Sequence, residues 1–299
     1  MNLNILQETL KNWAPGSVRR IARVSLKKYR DLRNRMQRRQ GNALDQAGIV
    51  AALRRLGIKP GDTLIVHSSL SRLGFVEGGV DAVVKALQEA VGDTGTLGAP
   101  TFWMADPNTV EEDTLLDAVQ GKSQLGIISE RIRQLPGAVR SLHPTHSATF
   151  VGPRARELTA EHHQDEPPVG PHSPYRKLVD IGGKVLLLGA SLEYLTSFHT
   201  IEDEITPFPY PVYNPGRKRF RVRTAEGEEL ALSVLLHSPE VARMRQCIKM
   251  EPHFVAAGVM VKAPVGNSDA IVLDAKGTHD ALHRLCQRGI TMYAPEGGV

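Results

Sequence analysis

Between residues 45 and 190, short apolar runs alternate with stretches whose apolar side chains recur at helical spacing, and few folds accommodate that alternation. Residues 45–56 place Ile49, Val50, Leu53 and Leu56 on one helical face and stop at Gly57. The turn Lys59-Pro60-Gly61-Asp62 leads into a short strand over 63–66, followed by a polar loop from His67 to Gly74. Gly78-Gly79 opens a second amphipathic helix to residue 91, and 95–100 reads as the next strand. Ser123 is the expected N-cap of a helix ending near 135; a strand over 148–151 and a helix over 153–162 follow. Ser173-Pro174 begins a further helix, with proline suited to its first position, and 184–188 is a buried-type strand. The expectation is an α/β fold with a mixed central sheet flanked by helices. After Pro215 the texture changes, and 217–223 with 228–235 predict a β-hairpin around Ala225-Glu226-Gly227. The smaller β-containing C-terminal portion, from about residue 215, is either a subdomain or the far side of one sheet.

The net charge of +5 is unevenly placed. Residues 19–39 hold ten Arg or Lys against Asp31, which leaves residues 41–299 at −4. The chain therefore divides into a basic helical arm, 1–40, and one main domain, 41–299. A basic arm suits nucleic acid, anionic lipid or an acidic partner, or lies solvated on its own domain. It lacks the interleaved aromatics of a single-strand binder, so no nucleic-acid partner is expected. Peripheral membrane or acidic-partner contact through 19–39 stays open. Cys247 and Cys286 form neither a disulfide framework nor a metal motif. With no apolar run of about 18 residues and no apolar N-terminal stretch, a cytoplasmic protein is expected.

Several chemistries lack their signatures. No G-x-G-x-x-G follows a strand, and position 116 is Leu where a phosphate loop ending at Gly121-Lys122-Ser123 needs glycine. Gly189-Ala190-Ser191-Leu192-Glu193 lacks the last glycine of a nucleophile elbow. His143, His146, His162, His163 and His172 sit at no recognised ligand spacing, so no metal is expected. The loop His67, Ser68, Ser69, Ser71 and Arg72 leaves a strand's C-terminal end, where α/β sheets bind ligands. Its hydroxyls, backbone N–H groups and arginine suit a phosphate, or equally an ordinary polar loop. His143-Pro144-Thr145-His146-Ser147 and His172-Ser173-Pro174-Tyr175 set imidazoles and hydroxyls at element boundaries. In Thr196-Ser197-Phe198-His199-Thr200-Ile201-Glu202, an imidazole and a carboxylate stand three residues apart on one helical face. Glu202 there can orient His199 as a general base, although a structural pair has the same spacing.

Taken in order, these pieces resemble the aminoglycoside 3-N-acetyltransferase family, which is distinct from the GNAT acetyltransferases. The similarity runs through Leu56-Gly57-Ile58, His67-Ser68-Ser69-Leu70, Gly95-Thr96-Leu97 and Pro100-Thr101. It continues through His143-Pro144-Thr145-His146-Ser147, Ser173-Pro174, 184–189 and Thr196-Ser197-Phe198-His199 with Glu202, covering about 45–290. The resemblance implies acetyl transfer from acetyl-CoA to a primary amine of an aminoglycoside or related amino sugar. It implies that His67, Ser68, Ser69, Ser71, Arg72 and Ser173 hold the coenzyme, and that His199 is the base with Glu202 behind it. His146 and Thr101, from the matching text, and Asp203 are the candidates facing the substrate. Glu111-Glu112-Asp113, Asp117 and Glu202-Asp203-Glu204 are candidates for the acidic field that a polycation needs, or for solvated surface. Neither cysteine lies in a matching motif, which favours direct attack over an acyl-enzyme. The basic arm and the Gly98-Ala99 step depart from dedicated resistance enzymes. They keep open a second substrate, an amino sugar in surface-polysaccharide or secondary-metabolite biosynthesis.

Overall fold

The structure, a computed structural model, describes residues 43–293. The arm expected over 1–40, with its contact surface at 19–39, lies outside the described residues. The first elements are α1 (Gln46–Arg55), β1 (Thr63–Ser68), α2 (Gly79–Val91), β2 (Thr96–Pro100) and β3 (Thr114–Asp117). Next come α3 (Ile127–Arg133), β4 (Val139–Arg140), β5 (Ala148–Val151), α4 (Ala155–Thr159), α5 (Pro174–Asp180) and β6 (Lys184–Leu188). The chain continues through β7 (Lys218–Arg223), β8 (Glu229–Val234), α6 (Pro239–Arg243), α7 (Glu251–Ala256), β9 (Met260–Val265), β10 (Ser268–Asp274) and α8 (Ala275–Gln287).

A seven-stranded sheet runs β4-β5-β2-β1-β6-β10-β9. Its centre, β2-β1-β6, is parallel and its flanks are antiparallel, so the sheet is mixed as expected. Period-two alternation sends successive side chains of a strand to opposite faces. Leu64 and Val66 of β1 thus join Leu53, Leu87 and Leu186 under α1 and α2. Ile65 joins Val185, Leu187, Phe150, Leu178 and Leu282 on the other face, beneath α5 and α8. β1 and β6 are apolar on both sides because helices cover both sides.

The predicted hairpin is β7–β8, with Phe220 opposite Leu232. β3 completes this second sheet, in the order β3-β7-β8, around a small core of Trp103, Leu116, Phe220 and Val222. β9 and β10 return to the edge of the large sheet, so the chain after Pro215 is shared between both sheets. One expected cap moved. α3 begins at Ile127 behind Gly126 at φ 104°, and the Ser123 backbone N–H instead donates to Glu130 Oε2 at 2.8 Å. Among the described residues, no helix is long and apolar enough to cross a membrane.

Gly98 has a packing reason. It pairs with Phe150 across β2 and β5, and a Cβ there would lie 2.3 Å from that ring. Phe150 is fully buried and has nowhere to retreat. Gly98→Ala is therefore expected to destabilise the protein by about 1–3 kcal/mol. The check is a lower denaturant midpoint with an unchanged slope.

Candidate active site

The parallel strands β1, β2 and β6 end at one cavity of about 910 Å³, ample for a large ligand. His67 and Ser68 close β1 by pairing with Leu187 and Leu188 of β6, so they are strand residues rather than loop residues. The chain then turns through the 3-10 helix Leu70–Arg72, which brings Ser69, Ser71 and Arg72 to the same wall. Pro100 and Phe102 follow β2, Ala190 follows β6, and residues 124–129 add the start of α3. Gly189, at φ 67°, makes the turn after β6 where a Cβ would come within 2.9 Å of the Ser69 carbonyl. His67 Nε2 and Ser68 Oγ are buried without a partner in the protein. Burial lowers the His67 imidazole to about 4, so its ring is neutral at pH 7.

His199 also lines this cavity, from the 3-10 helix Thr196–Ile201. In a 3-10 turn, residues i and i+3 eclipse, and the next such position carries Glu202. Its Oε1 lies 2.9 Å from His199 Nδ1, an ion-pair contact set off the line of a well-formed hydrogen bond. The Glu202 side chain is fully buried, with His237 Nε2 at 3.1 Å from Oε2 and the Tyr293 hydroxyl donating to Oε1. Burial alone would raise this carboxyl, but His199 and His237 outweigh it and hold Glu202 below the ordinary carboxylate range. Burial lowers the His199 imidazole to about 4, against the opposing pull of Glu202. A sequence cannot show that burial, and the ring is a weaker base than the ordinary value of about 6.5 suggests. His237 lies over the His199 ring at 4.3 Å between centroids, and His146 lies 6.2 Å from His199. His146 Nδ1 meets the Thr145 hydroxyl at 2.9 Å, and burial, then His237 and His199, keep its ring neutral.

Three expected site residues stand elsewhere. Thr101 is fully buried, and its hydroxyl meets that of Thr149 at 2.9 Å, knitting β2 to β5 instead of facing the cavity. Ser173, also fully buried, caps α5 by accepting from the Arg176 backbone N–H at 3.2 Å and lies outside the cavity lining. Asp203 is exposed and accepts from the Tyr213 hydroxyl at 2.8 Å, outside the cavity lining. The acids of residues 112–117 also turn away, Glu112 and Asp113 to Arg219 and Asp117 to Arg223. Glu193 is the carboxylate found in the lining.

No sequence motif points to His237 and Tyr293, the partners of Glu202, or to Arg245, which lines the cavity. His237 had a weak signal, an imidazole just before the Ser238-Pro239 cap of α6, the kind of boundary that drew notice to His172. Tyr293 is 91 residues from Glu202, and no spacing rule reaches it. His199, Glu202 and His237 offer ligand atoms within 4.8 Å of one another, although both carboxylate oxygens already have partners.

A neutral imidazole backed by a buried carboxylate, lining a coenzyme-sized cavity together with a polar loop, is acyl-transfer equipment. The family model for aminoglycoside 3-N-acetyltransferases matches residues 65–287. Aminoglycoside N(3)-acetyltransferase VII of Streptomyces paromomycinus is 32% identical over 266 residues, spanning 81% of this chain and 91% of that protein. The solved structure of AAC-IIIb in binary complex with CoASH superposes with a TM-score of 0.71 at 25% identity, covering 84% of this chain and 99% of that one. AAC-VIa bound to sisomicin gives a TM-score of 0.69 at 25% identity, covering 82% and 98%. The chain belongs to the aminoglycoside 3-N-acetyltransferase family, and is an acetyl-CoA-dependent N-acetyltransferase.

Proposed function

We propose that this enzyme moves the acetyl group of acetyl-CoA directly to a primary amine of an aminoglycoside, with His199 as general base. The observation that carries this reading is His199 in the cavity wall with its Nδ1 against the buried Glu202 carboxylate. With Nδ1 committed to Glu202, Nε2 is the ring atom left for an acceptor. An amine with a pKa near about 8 is mostly ammonium at neutral pH and cannot attack a thioester. Free amine, formed by loss of one proton to solvent, attacks the thioester carbonyl carbon. Nε2 takes the second proton as the N–C bond forms, the C–S bond breaks, and the imidazolium returns that proton to the coenzyme A thiolate. Glu202, locked by His237 and Tyr293, supports the imidazolium formed in that step.

Direct attack is supported by the state of the candidate nucleophiles. Burial pushes the Cys247 thiol up to about 12 and also raises Cys286, and neither lines the cavity. Ser68 does line it, but its hydroxyl has no base beside it in the protein. We assign the coenzyme's phosphates to the wall of Ser69, Ser71 and Arg72. A charge-assisted hydrogen bond contributes about 1.5–3 kcal/mol. Arg72→Ala is thus expected to raise the Kd for acetyl-CoA roughly 10-fold or more, read by calorimetry.

The test of the function is an acceptor panel at saturating acetyl-CoA, with sisomicin, kanamycin-type compounds and a nucleotide-linked amino sugar. The expected result is one acetyl added to an aminoglycoside amine, placed at the 3-amino group by mass spectrometry. Transfer to the nucleotide-linked amine alone would move the enzyme to amino-sugar biosynthesis.

A further inference from the structure

We propose that Glu204, His279 and His283 form a site for a divalent transition-metal ion of the zinc type, outside the cavity lining. His279 and His283 stand one helical turn apart on α8, and Glu204 follows the segment that carries His199 and Glu202. Glu204 Oε2 lies 3.1 Å from His279 Nε2 and 2.9 Å from His283 Nε2. The three ligand atoms fall within 4.8 Å of one another. Two imidazole nitrogens and one carboxylate oxygen, with a fourth position open to water, suit tetrahedral zinc.

The hydrogen bonding behind His279 sets its tautomer. The Thr200 hydroxyl donates to the Ser197 carbonyl at 2.8 Å, so toward His279 Nδ1, at 2.9 Å, it accepts. Nδ1 therefore carries the proton, and Nε2 turns a lone pair toward Glu204. An imidazole held through its other nitrogen in this way is the arrangement that orients a metal ligand. A lone pair and a carboxylate oxygen 3.1 Å apart have no proton between them and need a cation. Arg176 supplies one in this structure, donating to His279 Nε2 at 3.0 Å and to Glu204 Oε1. Arg176 also reaches Asp180 at 3.3 Å, so its guanidinium keeps a carboxylate partner when an ion takes its place. A bound ion would pin α8 to the segment bearing the catalytic imidazole.

The experiment uses tag-free full-length protein stripped with chelator, titrated with zinc chloride and followed by calorimetry and thermal unfolding. The expected result is one equivalent bound, a Tm rise of about 5 °C at saturation, and at least roughly 10-fold weaker binding in His283→Ala and Glu204→Gln. His283 is only partly buried, so its variant should fold where His279→Ala could fail. His237→Ala should keep the ion. Absence of stoichiometric zinc would overturn the proposal. So would zinc retained by both His283→Ala and Glu204→Gln, which would place the ion elsewhere, as at the His199–Glu202–His237 trio.

Discussion

Replacing His199 with Ala is expected to lower kcat for acetyl transfer by roughly 10²–10⁴-fold while coenzyme A still binds. The size follows from the step removed. Without Nε2, the proton that the attacking nitrogen sheds as it bonds to the carbonyl carbon must go to water, which raises the barrier by about 3–5 kcal/mol. Coenzyme affinity should hold because the proposed coenzyme wall is built from β1 and the Leu70–Arg72 turn, whereas His199 comes from the separate Thr196–Ile201 turn. The fold should hold as well, since Glu202 keeps His237 and Tyr293 and is not left as an orphan charge. Steady-state kinetics on the variant, with coenzyme Kd measured on the same preparation, reads both quantities. Wild-type turnover in His199→Ala would remove this residue from the chemistry.

The second large effect is on stability in acid. Burial depresses His67 and His199 to about 4 and His143 to about 3, and lowers His146 and His162 as well. Each imidazole is therefore held neutral in the fold but takes up a proton near 6.5 once unfolded. Below 6.5 the unfolded chain binds more protons than the native one, so stability falls as pH falls, until the folded values are passed. A depression from 6.5 to about 4 corresponds to roughly 3 kcal/mol per ring if fully expressed. Two or three such rings rival the ~5–15 kcal/mol that holds a typical domain together. Denaturant unfolding at a series of pH values should show stability intact above 6.5 and largely lost by about 4. Glu202 acts in the same direction at the acid end, because its depressed carboxylate loses its advantage as it protonates. A curve flat from pH 7 to 4 would show that these rings titrate freely in the fold.

Much of this architecture was legible because local rules set it. The helix from Gln46 to Arg55 has its cap at Asp45, whose side chain accepts from the Gly48 N–H at 2.7 Å, and the apolar runs that read as strands form β1 and β6. The His199–Glu202 contact was legible because residues three apart meet on a helical turn, and a 3-10 turn only tightens that spacing. What the sequence missed depends on distant chain. His67 and Ser68 were read as loop because nothing local shows that Leu187 and Leu188 extend the ladder. Ser173 and Thr101 carry hydroxyls in motifs matching the family, yet capping and cross-strand bonding had first claim on them. The depression of His199 arises from the shell packed around it, and His237 and Tyr293 arrive from 35 and 91 residues beyond Glu202.

The proposed mechanism requires His199 to present an unprotonated Nε2 to the cavity at neutral pH. The nitrogen-15 spectrum of histidine-labelled enzyme at pH 7 tests it, with the His199 signals assigned by their loss in the His199→Ala variant. The expected spectrum is that of a neutral ring with its proton on Nδ1 and a bare Nε2. A proton on Nε2, or a charged imidazolium, would contradict it.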